Sequence, residues 1–227
     1  MPYPSEPNKI ILNNTNAKTL YEYYISVKDK IIKECDRRPV LLFNKYDNSS
    51  DFVVVRNYKD NKIILNKDNY EEIITGYTVS ISVESAYPGQ RLKQILIDID
   101  SRNPKIKEDD LKTCVYELLE LYKHYKCYIT NSSTGYHFRV DINPQVSSKV
   151  LALTINELTK NLSKKYSINA RQRGGMYDSI NLDLVAMQSR GSLTVPYSLN
   201  RNLSICSYIS PEKLPFFSRN SSFLNKF

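Results

Sequence analysis

Tryptophan is missing from the 227-residue chain, glycine occurs only six times, and the four cysteines never form a Cys-x-x-Cys pair. Few glycines leave little room for a phosphate-cradling glycine-rich loop, and the Gly174-Gly175 pair is too short to be one. Unpaired cysteine spacing argues against a structural zinc site, so no zinc is expected. Cys35 and Cys114 fall on helical patterns and read as reduced core thiols. No apolar run approaches the roughly 20 residues of a membrane span. The amino-terminal stretch lacks the basic and apolar regions of a signal peptide. Membrane partners are thereby excluded at this level, and a soluble, intracellular protein is expected.

What is present fits a folded domain. Apolar residues make up 41% of the chain, enough for a core at this length. The net charge of +8 favours a polyanionic partner, although a generic basic protein has the same balance.

Patterning predicts a helix from near Thr19 to about Asp36, carried by Leu20, Tyr24, Val27 and Ile31 at helical spacing. Short β-rich runs follow at 40–43, 52–55, 63–65 and 77–83, separated by polar turns. The centre reads as a strand at 94–100, a helix at 108–126, strands at 127–130 and 136–142, and a helix opened by Pro144. Further strands are predicted at 180–184, 192–195 and 203–208. Strands and helices mix without strict alternation, so the fold class is α+β with a mostly antiparallel sheet. A single domain is expected over 1–227. It divides into an N-terminal α/β unit at about 17–90, a chemistry-bearing region at about 91–209, and a tail at 210–227.

Three strands carry the candidate chemistry. Residues two apart share a strand face, so Ile95, Ile97 and Ile99 take one side of the 94–100 strand while Asp98 and Asp100 take the other. Two adjacent carboxylates repel one another unless a cation, a proton or water relieves them, and hard oxygens suit Mg²⁺ or Mn²⁺. In the 136–142 strand, His137, Arg139 and Asp141 oppose an apolar face of Tyr136, Phe138, Val140 and Ile142. The preceding turn offers Ser132, Ser133 and Gly135, whose hydroxyls and amides could hold a phosphate. Asp183 lies opposite the apolar Leu182 and Leu184 in the third strand. Taken singly, each of these is an ordinary solvated residue. Brought into one sheet, Asp98, Asp100, His137 and Asp183 would share a surface. Lys164, Lys165, Arg171, Arg173, Arg190 and Arg201 bracket the third strand, either as phosphate partners or as a solvated basic loop. His124 sits in a helix's last turn, where it complements the dipole.

The order Ile97-Asp98-Ile99-Asp100, then Ser132 to His137, then Leu182-Asp183-Leu184-Val185, then Val195-Pro196-Tyr197-Ser198-Leu199 resembles the archaeo-eukaryotic primase superfamily. That group holds primase small subunits, primase-polymerases and the polymerase domain of ligase D. The resemblance covers roughly residues 90–208. It implies a catalytic core with an RNA-recognition-like sheet flanked by helices, packed against a smaller N-terminal α/β unit. Asp98, Asp100 and Asp183 would hold two divalent ions, Mg²⁺ or Mn²⁺, as catalytic ligands. His137, Arg139, Arg173, Ser198 and Arg201, with Ser132, Ser133 and Gly135, would bind the incoming nucleotide. Implied partners are a single-stranded DNA template, a primer strand, nucleoside triphosphates, and a large primase subunit or other replication proteins.

Within that resemblance, primer synthesis is preferred, and gap filling of the ligase D type is the alternative. Outside it stand a metal-dependent nuclease and a non-catalytic nucleic-acid-binding module. The last predicts stacking aromatics on the exposed sheet face, whereas Tyr136 and Phe138 point inward.

Overall fold

The computed structural model describes residues 14–46, 51–89, 91–101, 103, 105–170, 179–188 and 191–214. It is an α+β structure built on two main sheets and two apolar cores.

The first unit opens with α1 (Asn14–Ser26) and α2 (Lys28–Cys35), where one continuous helix was expected. The interruption is a single residue, Val27, whose N–H still reaches the Tyr23 carbonyl at 3.2 Å. α2 ends on Asp36 in the left-handed region (φ 47°), a conformation a short polar side chain tolerates. Next come β1 (Val40–Asn44), β2 (Val53–Val55), a small hairpin of β3 (Asn57–Tyr58) and β4 (Asn61–Lys62), α3 (Tyr70–Ile73) and β5 (Thr78–Glu84). Residues 63–65, expected as a strand, form no strand. Ile63 and Leu65 are buried there, and Val40 N–H donates to the Ile63 carbonyl at 2.9 Å.

The second unit begins with β6 (Ala86–Tyr87) and β7 (Arg91–Asp100). It continues through α4 (Glu108–Leu121), β8 (Cys127–Asn131), β9 (Tyr136–Val146), α5 (Ser147–Leu162), β10 (Ser167–Asn169) and β11 (Asn181–Asp183). α4 starts as its acidic first turn requires: Lys107 N–H donates to Asp110 Oδ2 at 2.9 Å, and the carboxylates of 108–110 meet the positive end of the dipole. It buries Leu111, Cys114, Val115 and Leu118. Full burial of each large apolar side chain contributes about 1.5–3 kcal/mol.

Pro144 does not open α5. β9 runs through it to Val146, and the register slips so that Gln94 faces Asp141 while Leu92 faces Gln145. Pro144 therefore falls in a bulge, where its missing N–H breaks no ladder bond. β10 was not expected from its basic, polar sequence. It pairs in parallel with β11 and makes the sheet mixed.

The large sheet has the order β10-β11-β7-β9-β8-β13, with β13 at Tyr208–Ile209. Its centre, β7-α4-β8-β9-α5-β11 in spatial order β11-β7-β9-β8, is a split βαβ arrangement. Ile95, Ile97, Ile99, Phe138 and Leu182 face a core shared with α4 and α5. The small sheet has the order β12-β5-β1-β2, with β12 at Ser192–Thr194. Thus the chain returns to the first unit after β11, and Val195, Leu199 and Leu203 join Leu20, Tyr24 and Ile81 in its core. The strand expected at 203–208 is mostly irregular, with one bridge from Leu199 to Ile205 before β13.

No helix among the described residues is long and apolar enough to cross a membrane.

Candidate functional site

Register is the first determinant of the site. Asp183 lies directly opposite Asp98, and Asp98 lies directly opposite His137. Directly opposed residues sit about 5 Å apart at Cβ and project to the same face. Three side chains from β11, β7 and β9 therefore form one lateral row. Asp100 stands two residues further along β7 on the same face, opposite Asn181. That spacing is about 7 Å along the strand.

The surroundings of each group differ. The Asp98 side chain is 32% exposed, and its Oδ1 lies 3.7 Å from His137 Nε2. Asp183 Oδ1 accepts the Val185 N–H at 2.7 Å, which orients that carboxylate at the strand end. His137 is buried, with Nδ1 3.5 Å from Thr130 Oγ1. Burial, and then the positive charges of Arg139 and Arg201, hold the imidazole pKa well below 6.5. The ring is consequently neutral at physiological pH.

His137 and Arg139 were expected on an exposed sheet face, yet they are 4% and 2% exposed. The small sheet covers that part of the large one. The Arg139 guanidinium donates to the Thr194 carbonyl on β12, tying the two sheets together across the site. Arg201 is exposed, and its guanidinium stacks over the Phe43 ring at 5.4 Å.

The 132–135 turn is built around a close approach. A Cβ on Gly135 would lie 1.9 Å from the Ile99 carbonyl, so only glycine lets the turn rest on β7 beside Asp100. Ser132 is also spent locally: its Oγ accepts the Gly135 N–H at 2.8 Å and the Thr134 N–H at 3.3 Å. Ser133 is half-buried, and its carbonyl accepts from Asn202 Nδ2 at 3.4 Å.

Ser198 requires a correction. It was expected to line the nucleotide pocket, but it is fully buried in the first unit. Its Oγ accepts the Ile81 N–H at 2.8 Å and meets the Tyr24 hydroxyl at 3.1 Å. With the hydroxyl sealed in a core, Ser198 anchors the loop after β12 and presents nothing to a ligand. Arg173, with Arg171 and Arg190, lies outside the described residues.

Among the described residues, no three His, Cys, Asp or Glu side chains are assembled as a ready-made ion cage. The carboxylates nevertheless fit hard divalent cations. Their donors are all oxygen, and two of them are cross-strand neighbours whose mutual repulsion a cation relieves. A shared ion would draw Asp98 and Asp183 together from positions the register already provides.

Pattern reasoning missed part of this face. Thr130 and Tyr208 continue the same row beyond His137. Tyr128, two residues before Thr130, shares their side of the sheet. The alternation in 127–131 carried that signal for Tyr128 and Thr130, whereas β13 is too short to show a period.

No protein-family model matches the chain, and no curated protein matches it by sequence. Among solved structures, it is similar to the polymerase domain of Mycobacterium tuberculosis ligase D in complex with DNA. The likeness has a TM-score of 0.72 at 12% identity and covers 92% of this chain and 89% of that one. It is a likeness of fold.

Proposed function

We propose that this chain is a template-directed nucleotidyltransferase that synthesises primers, with Asp98, Asp100 and Asp183 as the catalytic carboxylates. The observation that carries the reading is the lateral row Asp183-Asp98-His137, with Asp100 beside it on β7. The structural likeness to a polymerase domain solved with DNA supports the same reading from an independent direction.

The three carboxylates would hold two Mg²⁺ or Mn²⁺ ions, which supply activation of a 3′-hydroxyl and stabilisation of leaving pyrophosphate. The chain's own residues position and neutralise. Neutral His137 is braced by Thr130 and offers an N–H to a phosphate oxygen without competing for the metal charge. Arg139 acts through its field, since its head group is committed to the Thr194 carbonyl. Arg201 is exposed, with its guanidinium over the Phe43 ring, and is suited to meet a triphosphate directly. The 132–135 turn sets the height of His137 by resting on Ile99. A single-stranded template, a primer end and nucleoside triphosphates are the substrates on this reading.

Gap filling at broken ends is the second reading, and the ligase D likeness is what favours it. Incubation with a single-stranded template, labelled nucleotides of both sugar types and Mg²⁺ or Mn²⁺ separates the two. New oligonucleotides without any supplied primer are the expected result. Extension of supplied ends alone would transfer the assignment to gap filling, and degradation without triphosphates would make the chain a nuclease.

A further inference from the structure

The large sheet carries a second group of side chains on its catalytic face, at the β8-β13 edge. Tyr208 is paired with Thr130, Thr130 with His137, and His137 with Asp98. Tyr208 thus lies three strands from Asp98 in the same row, about 14 Å away. Tyr208 is 39% exposed. The Tyr128 ring lies 5.7 Å from it on one side and the Tyr197 ring 6.1 Å on another. Lys126 Nζ stands 5.1 Å from the Tyr128 centroid, and Lys30 Nζ stands 5.1 Å from that of Tyr197.

The group is held in place from below. Tyr208 Oη donates to Glu34 Oε2 at 2.5 Å, and Tyr128 Oη donates to Asp141 Oδ2 at 3.2 Å. These bonds occupy the two nearby carboxylates and fix the rings by their hydroxyl ends. Tyr197 adopts φ 71°, an uncommon conformation for an aromatic residue, and its carbonyl accepts the Tyr23 hydroxyl at 2.6 Å. The backbone is thus held in a disfavoured region where it adds a third ring to the group.

We propose that Tyr128, Tyr197 and Tyr208, with Lys30 and Lys126, form a seat for the unpaired bases of a single nucleic-acid strand. Ring faces accept any base by stacking, and the ammonium groups that stand over Tyr128 and Tyr197 would meet the backbone phosphates. A strand lying along this row leads directly to His137 and Asp98. Its use as a template seat rests on the nucleotidyl-transfer reading, whereas the binding itself does not.

The test is fluorescence anisotropy with a labelled oligothymidylate of about 12 nucleotides, within the usual site sizes for such platforms. It is run without divalent metal or triphosphate, with oligouridylate and duplex DNA as parallel probes. Tyr208→Phe keeps the ring face but loses its bond to Glu34, so it should bind more weakly than the wild type and more tightly than Tyr208→Leu. Tyr208→Leu and Tyr128→Leu should each weaken single-strand binding about tenfold, with a smaller effect on duplex. Thermal melting of each variant confirms that it is folded, and only folded variants are compared. Wild-type affinity in both leucine variants, or equal losses on single strand and duplex, would overturn the seat. The binding assay involves neither catalysis nor metal, so its outcome does not depend on the carboxylate assignment. A seat that fails leaves the carboxylate assignment standing, and a failed carboxylate assignment leaves the seat standing.

Discussion

Asp98 and Asp183 face each other directly across adjacent antiparallel strands, although 85 positions separate them in the chain. Like charges so placed repel, and a divalent cation held between the carboxylates would relieve that repulsion. Mn²⁺ should therefore raise the melting temperature of the wild-type protein by several degrees through preferential binding to the folded state. The Asp98→Asn/Asp183→Asn variant should show no such rise. Equal Mn²⁺ shifts in both proteins, read by differential scanning fluorimetry, would place the ions elsewhere.

Gly135 rests against the Ile99 carbonyl with no room for a methyl group. Gly135→Ala should cost about 1–3 kcal/mol in urea unfolding, as overpacking does, because either β7 or the turn must shift. Since β7 carries Asp98 and Asp100, the variant should also lose incorporation under conditions where it remains folded. Wild-type stability would mean that turn and strand leave room for a methyl group after all.

Ser198→Ala tests the reassignment of that residue. Loss of the hydroxyl leaves Ile81 N–H without an acceptor inside a core, whereas Tyr24 Oη keeps the Val79 carbonyl at 2.7 Å as its own acceptor. The expected cost is about 1–3 kcal/mol of stability. The nucleotide KM, measured well below the melting temperature, should be unchanged. A raised KM with intact stability would return Ser198 to the nucleotide pocket.

All four cysteines carry free thiols. Burial pushes Cys35 up to about 12 and Cys127 up to about 11, and it raises Cys114 and Cys206 as well. Thiolate is the reactive form, so a disulfide-exchange reagent at mildly alkaline pH should react slowly with the folded protein. Denaturation without reductant should release all four thiols. Fewer than four would reveal a disulfide.

The site was legible where sequence periodicity was strong. β7 and β9 alternate cleanly, so the shared faces of Asp98 with Asp100, and of His137 with Arg139, follow from period two alone. The burial of that face was not legible. It depends on β12 crossing back to the small sheet, and nothing in Ser192–Thr194 names its partner strand. Ser198 was misread for the same reason, since its neighbours Tyr24 and Ile81 are distant in sequence. Pro144 signalled a break but not its kind, because a strand bulge and a helix start both accept proline. β10 was missed because a three-residue strand of Ser, Ile and Asn shows no pattern without β11 beside it.

The most direct test is nucleotide incorporation on a single-stranded template with Mg²⁺ or Mn²⁺. The wild-type protein is compared with Asp98→Asn/Asp100→Asn, each checked for folding by circular dichroism. Labelled product should form with the wild-type protein and fall below detection with the folded double variant. Product at the wild-type rate from the variant would contradict the assignment of the paired carboxylates as the catalytic centre.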